Sequence, residues 1–302
     1  MPPDLFIFLL ALASVAAGFL GALTGLGGGV IIIPLLVLAF GIDIKYAVGT
    51  SLVAVIATSS GAAAAYVRDG FTNIRIGIFL EVATVLGALF GAFIAGLISP
   101  TAITLIFVAA LFWSAYATLK GPPEPLPLPS PSTSPTKPNH KPDPNPDLAT
   151  RLNLHSSYPT SPTTKNAAST TLTHYTVSHA PAAFIVMLFA GVLSALAGIG
   201  SGVVKVIAMD RLMRLPFKVS TTTSNFMIGV TAAASAGIYW HRGQISPALT
   251  APVALGALLG SILGAKALPR VNTTILRRVF AITVIASGLE LLRRTLFAGA
   301  TP

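Results

Sequence analysis

The chain has 302 residues, 53% of them in the apolar AVILMFWYC set and only 9% charged, with a mean hydropathy of +0.79. A soluble domain carries about 25% charged residues, so this chain cannot cover an aqueous surface and reads as an integral membrane protein. It contains no cysteine, which excludes disulfides, thiolate nucleophiles and cysteine-ligated metals. The formal net charge is +10. The basic residues fall mostly between apolar segments, where they act as topology signals; none forms a stripe interleaved with aromatics, so nucleic acid is not an expected partner.

In chain order, apolar segments run at 4–23, 30–40, 47–67, 76–98 and 101–119, and again at 181–197, 203–209, 219–240, 248–269 and 275–292. Most approach the roughly 20 residues needed to cross a bilayer; 30–40 and 203–209 are too short. The opening "MPPDLFIFLLALASV" has an apolar run but no basic residue before it, so an uncleaved first membrane segment is expected rather than a signal peptide. Between the two groups, "GPPEPLPLPSPSTSPTKPNHKPDPNPD" is dense in Pro, Ser and Thr. Such a composition cannot repay the entropy of folding by apolar burial, so 120–180 is expected to be a disordered, extended linker.

The flanking groups repeat each other. A gapless offset of 173 residues places Gly18 on Gly191, Gly25 on Gly198, Gly27 on Gly200, Gly29 on Gly202, Lys45 on Lys218, Thr50 on Thr223, Ser51 on Ser224 and Tyr66 on Tyr239. The expected domains are therefore 1–119, a first membrane repeat; 120–180, the linker; and 181–302, a second repeat.

Two arrangements compete. If 4–23 crosses fully and each half has four passes, the Lys and Arg residues outside the distal linker divide nine against six. If 4–23 and 30–40 form a bent hairpin, one side collects Arg68, Arg75, Lys120, Lys205, Arg211, Arg214, Lys218, Lys266, Arg270, Arg277 and Arg278. The other keeps Lys45, Arg242, Arg293 and Arg294. The positive-inside rule favours the second arrangement. Three further passes per half then invert the second repeat, with both termini outside and the linker cytoplasmic. The expected fold is all-α and polytopic: two inverted repeats, each a broken-helix hairpin plus three transmembrane helices.

The glycine breaks are "TGLGGGV" at 24–30 and "AGIGSGV" at 197–203. Glycine lets the chain reverse and frees backbone N–H groups before a new half-helix, a natural anion site at membrane depth. Gly27, Gly28, Gly29, Gly200, Ser201 and Gly202 either touch a substrate there or only permit tight packing. Thr50, Ser51, Thr223, Ser224 and Asn225 open the following membrane helices. Each hydroxyl can bond back into its own helix, but an amide in hydrocarbon needs partners, so Asn225 points to a cavity or to helix–helix contact. Gly87–Gly91 and Gly256–Gly260–Gly264 are small-xxx-small packing patterns. Lys205 lies inside the short segment "VVKVIAM"; Glu81 lies five residues inside a span and Glu290 precedes Arg293. Interfacial placement or pairing accounts for both acids, with a proton relay as the alternative. No catalytic, metal or cofactor site is expected.

The stretches "GALTGLGGGVIIIP" at 21–34, "AVGTSL" at 47–52, "GIGSGVVKV" at 198–206 and "TSNFMIGVTA" at 223–232 together resemble the TauE/SafE family of membrane transporters. The resemblance covers both halves and omits the linker. It implies transport of small anions such as sulfite or organosulfonates across the inner or plasma membrane, with no enzymatic activity. The expected partners are the lipid bilayer, a small anionic substrate and a coupling proton or sodium ion, with a homodimer as an open assembly. An anion channel built from the same halves is the alternative. The chain departs from the family's pattern at Ser201, where a glycine is usual, and at Ile207, where a proline is usual; the first half keeps Gly28 and Pro34.

Overall fold

The computed structural model describes residues 2–24, 27–68, 72–119, 148–152, 154, 156–160, 171–267 and 273–297. Helices dominate: α1 Pro3–Thr24, α2 Gly29–Pro34, α3 Ile44–Arg68, α4 Ile74–Ala95, α5 Pro100–Leu119, α6 Leu148–Arg151, α7 Ala180–Ala197, α8 Gly202–Ile207, α9 Phe217–His241, α10 Pro247–Ala267 and α11 Thr273–Phe297. A π-helical turn extends α2 over Leu35–Ala39, and another extends α8 over Ala208–Leu212. Shifting α2, its π turn and α3 by 173 residues reproduces the bounds of α8, its π turn and α9 (29 + 173 = 202, 44 + 173 = 217, 68 + 173 = 241). The repetition seen in sequence is thus a repetition of elements.

Five of the described helices are long and apolar enough to cross a bilayer, within α1, α3, α4, α7 and α10. Many large apolar side chains point outward: Phe8, Phe90, Phe93, Ile185, Phe189, Leu255 and Ile282 are all exposed. Over so much surface this would make a water-soluble protein aggregate; against lipid tails it is the expected finish.

Each glycine break turns the chain back. The Phe6 ring, near the start of α1, packs edge-on against Phe40, just past the first π turn, at 5.3 Å between centroids. In the second half Ser178, just before α7, donates its backbone N–H to the Met213 carbonyl at 3.3 Å, just past the second π turn. Each returning arm, 29–39 or 202–212, would rise about 16 Å at 1.5 Å per residue, half of a hydrocarbon core of about 30 Å.

Close helix contacts give the relative directions. A Cβ on Gly256 would meet Ala11, one on Gly260 would meet Val15 and Phe19, and one on Gly264 would meet Phe19 and Ala22. Numbers rise together, so α1 and α10 run parallel. So do α4 and α7, where Gly87 abuts Leu188 and Gly91 abuts Val192. The small residues at these seams let backbones touch, as membrane helix pairs require. In contrast, α3 and α9 run antiparallel: Gly49, early in α3, abuts Gln244 beyond the end of α9, while Asn73, beyond the end of α3, donates its N–H to Thr223 Oγ1, early in α9, at 3.0 Å.

The expectation that 120–180 is without structure needs correction over part of its length. Residues 120–147 and 161–170 lie outside the described residues, but β1 Ser156–Thr160 and β2 Thr171–Tyr175 pair antiparallel, and α6 precedes them. The apolar side chains of this region explain the order: Ala149, Leu154 and Val177 are buried with Ile76, Leu80, Met209 and Met227. Asn73 fastens the segment, donating through Nδ2 to the Leu154 carbonyl at 3.2 Å and to the Tyr175 hydroxyl at 2.7 Å, while its Oδ1 caps α4 at Ile76 N. The Pro-rich composition conceals these few anchoring residues.

Candidate functional site

The two glycine breaks meet. A Cβ on Gly27 would lie 3.0 Å from Ile228 Cγ2 and 3.5 Å from Val55 Cγ1; a Cβ on Gly200 would lie 2.6 Å and 3.2 Å from the same two atoms. Val55 and Ile228 are equivalent under the 173-residue offset (55 + 173 = 228) and sit near the middles of α3 and α9. Gly29 approaches the second break's backbone directly, since a Cβ there would lie 2.6 Å from the Gly198 carbonyl and 3.0 Å from Ile199 Cα. The backbone is left-handed at Gly27 (φ 81°), Gly28 (φ 73°), Gly198 (φ 65°), Gly200 (φ 72°) and Ser201 (φ 49°). Ser201 therefore adopts the same left-handed conformation as its counterpart Gly28, at the steric expense that L-residues carry there.

Hydroxyls from α3 and α9 hold the breaks. Ser51 Oγ donates to the Gly198 carbonyl at 2.9 Å, across the two halves. Thr58 Oγ1 lies 3.0 Å from the Gly27 carbonyl, and Ser224 Oγ lies 3.3 Å from that of Gly202, each positioned to donate. Of the sequence-predicted residues, Gly27, Gly29, Ser51 and Gly200 come together at this crossing, and Gly28, Ser201, Gly202 and Ser224 flank it. Thr50 and Thr223 do not. Thr50 contacts Thr250 at 3.2 Å and Thr223 accepts from Asn73; both bonds lie near the starts of their own helices, which point in opposite directions.

Two predicted polar side chains are buried without a partner among the described residues: Ser201 Oγ and Asn225 Nδ2, on residues 3% and 1% exposed. A cavity of about 570 Å³ opens beside the second break, between α5, α7 and α8, with Val30, Trp113, Ile199, Ser201 and Gly202 on its walls. A second hollow, of about 400 Å³, lies between α3 and α9 around Ser59, Ser60 and Phe226.

Sequence reasoning took Glu81 and Lys205 separately and missed that they meet. Lys205 Nζ lies 3.7 Å from Glu81 Oε2, with the lysine fully buried. Lys205 donates to Thr231 Oγ1, and Thr231 donates to Glu81 Oε1 at 2.6 Å, with Thr84 Oγ1 at 3.4 Å. The offset carried the signal: it places Lys205 on Ile32, Glu81 on Ala254 and Thr84 on Ala257, so the charged cluster is where the halves differ.

Two like helical groups, each a broken-helix hairpin followed by long apolar helices, clothed in outward-facing Phe, Leu and Ile, define a polytopic membrane protein. The chain belongs to the sulfite exporter TauE/SafE family, whose sequence profile matches residues 10–291. It is 24% identical over 302 residues to the Bacillus subtilis (strain 168) protein named "Probable membrane transporter protein YunE", covering 97% of this chain and 99% of that one. It is 27% identical over 289 residues to that strain's "Probable membrane transporter protein YdhB", covering 95% and 99%. No solved structure matches it significantly.

Proposed function

We propose that this protein is a plasma-membrane transporter of small anions such as sulfite or organosulfonates, working by alternating access where the two breaks meet. The meeting of Gly27 and Gly200 on Val55 and Ile228 is the observation that carries the reading. The left-handed residues lead into the half-helices α2 and α8, whose first N–H groups have no acceptor within the helix, and the unpartnered Ser201 Oγ and Asn225 Nδ2 add donors. Donors buried in a low dielectric without a fixed partner favour an anion. The residues nominated from sequence at the two breaks and at Ser51, Ser224 and Asn225 form this substrate site.

The two halves are read as inverted repeats about an axis in the membrane plane. Equivalent helices α3 and α9 cross antiparallel at equivalent residues, and the parallel pairs α1–α10 and α4–α7 exchange partners between halves. With the basic residues inside, both termini lie outside and the linker is cytoplasmic.

Counterflow in proteoliposomes tests the reading, with sulfite, sulfoacetate, taurine and sulfate offered in turn. Saturable exchange of at least one anion is expected. Unitary currents in a planar bilayer would instead identify an anion channel, and inertness toward all four would contradict the substrate class.

A further inference from the structure

We infer that Glu81 and Lys205 form the proton-coupling pair of the transporter, exchanging Glu81 for the substrate anion as the partner of Lys205. The inference rests on the anion-transport reading above and adds to it the coupling ion and the residues that carry it.

A buried ion pair at membrane depth is costly, and it needs good geometry and full hydrogen bonding to be retained for stability alone. This pair has neither. Its closest N–O approach is 3.7 Å, Glu81 Oε2 accepts no hydrogen bond, and Thr231 is the one hydrogen-bond acceptor for Lys205 Nζ among the described residues. An ammonium has three donors, so two remain for another acceptor. Around the pair, α4 contributes Glu81 and Thr84, α8 contributes Lys205, and α9 contributes Thr231. Among the described residues no other charged or titratable group faces either member.

Position adds the second argument. Lys205 lies one turn into α8, its N–H bonded to the carbonyl of Ser201 in the second break. The ammonium is therefore tied to the segment whose unpartnered hydroxyl belongs to the substrate site. In the first half the equivalent of Thr231 is Thr58, which lies against the Gly27 carbonyl and has no ion to hold. Both breaks are held by hydroxyl–carbonyl contacts, and the second has the ion pair in addition, the one element among these that changes with protonation.

The charges balance in both states. Without substrate, the Lys205 ammonium and the Glu81 carboxylate sum to zero. When a monoanion takes Lys205, Glu81 takes a proton and becomes a neutral acid, and the sum is again zero. Each anion therefore moves with one proton, the proton residing on Glu81 while the anion is bound.

Glu81→Gln mimics the protonated acid. It leaves Lys205 free for the anion but removes its partner when the carrier is empty. With radiolabelled sulfite as probe, counterflow, which uses only the loaded carrier, is expected to stay within about twofold of wild type. Net uptake driven by a pH gradient is expected to fall about a hundredfold, because the empty carrier must reorient with an uncompensated buried charge. Parallel loss of both activities from a monodisperse E81Q protein would overturn the pairing, as would intact proton-driven uptake. If E81Q does not fold, the double variant Glu81→Gln/Lys205→Met removes both charges and is expected to fold without transporting sulfite. Wild-type proton-driven uptake by that variant would also overturn it. Absence of counterflow in the wild type with sulfite, sulfoacetate, taurine and sulfate overturns the anion reading and the pairing together, and shows itself before any substitution is made.

Discussion

Val55 and Ile228 stand 173 residues apart in the chain and share the same two neighbours, Gly27 and Gly200. Each side chain belongs to one half and reaches the break of both. The repeat therefore builds a single central feature rather than two separate ones.

The glycines of the first break differ in what they need. Gly28 requires the left-handed backbone, but a Cβ would find its nearest atom, Thr58 Cγ2, at 3.5 Å. Gly29 has no positive φ, yet a Cβ would lie 2.6 Å from the Gly198 carbonyl oxygen. Gly28→Ser is expected to cost about 1–2 kcal/mol from backbone strain, as the native Ser201 already bears at φ 49°. Gly29→Ser drives the new Cβ into the Gly198 carbonyl oxygen and is expected to cost more. Thermal unfolding of the two variants in detergent, compared side by side, checks the order.

The seams between α4 and α7 and between α1 and α10 rely on missing side chains. A Cβ at Gly87 would run into the Leu188 carbonyl and come within 3.1 Å of Val192 N, whereas one at Gly237 in α9 meets nothing within 4 Å. Gly87→Val is expected to destabilise by about 1–3 kcal/mol through overpacking. Gly237→Ala is expected to be neutral or to stabilise by up to about 1 kcal/mol through helix propensity. Melting temperatures of the purified variants distinguish them.

The absence of cysteine makes topology directly accessible, since single cysteines can be introduced without a background. Cysteines at Arg68 and Arg211 are both expected to resist an impermeant thiol reagent added outside intact cells, and to react once the membrane is opened. Labelling of either in intact cells would contradict the hairpin arrangement and the cytoplasmic linker.

Much of this architecture was legible in the sequence. The apolar segments, the 173-residue offset and the two short arms at 30–40 and 203–209 correspond to α2 and α8 with their π turns, because hydropathy and helix-breaking glycines are local properties. The ordered part of the linker was not legible. Its placement depends on Asn73, Leu154 and Tyr175 meeting from distant parts of the chain. The site was legible only in outline. Ser51 and the glycines converge, but Thr50 and Thr223 part company because α3 and α9 are antiparallel; the inversion expected from the basic residues implies that separation, and grouping the two threonines in one site overlooked it. Glu81 and Lys205, 124 positions apart (205 − 81), carry no local mark of their pairing; comparing the two halves position by position exposes both as departures from the repeat.

The central claim is that an anion binds where the breaks meet, using donors that the fold buries and leaves unpaired. Asn225→Leu tests it most directly, because it keeps the branching and the number of heavy atoms of the side chain and removes its amide. Losing a hydrogen bond to a charged ligand costs about 1.5–3 kcal/mol, or roughly a ten- to hundredfold rise in the KM for counterflow of the transported anion. That rise, in a protein that inserts and purifies like wild type, is the predicted result. An unchanged KM and rate in N225L would contradict the account.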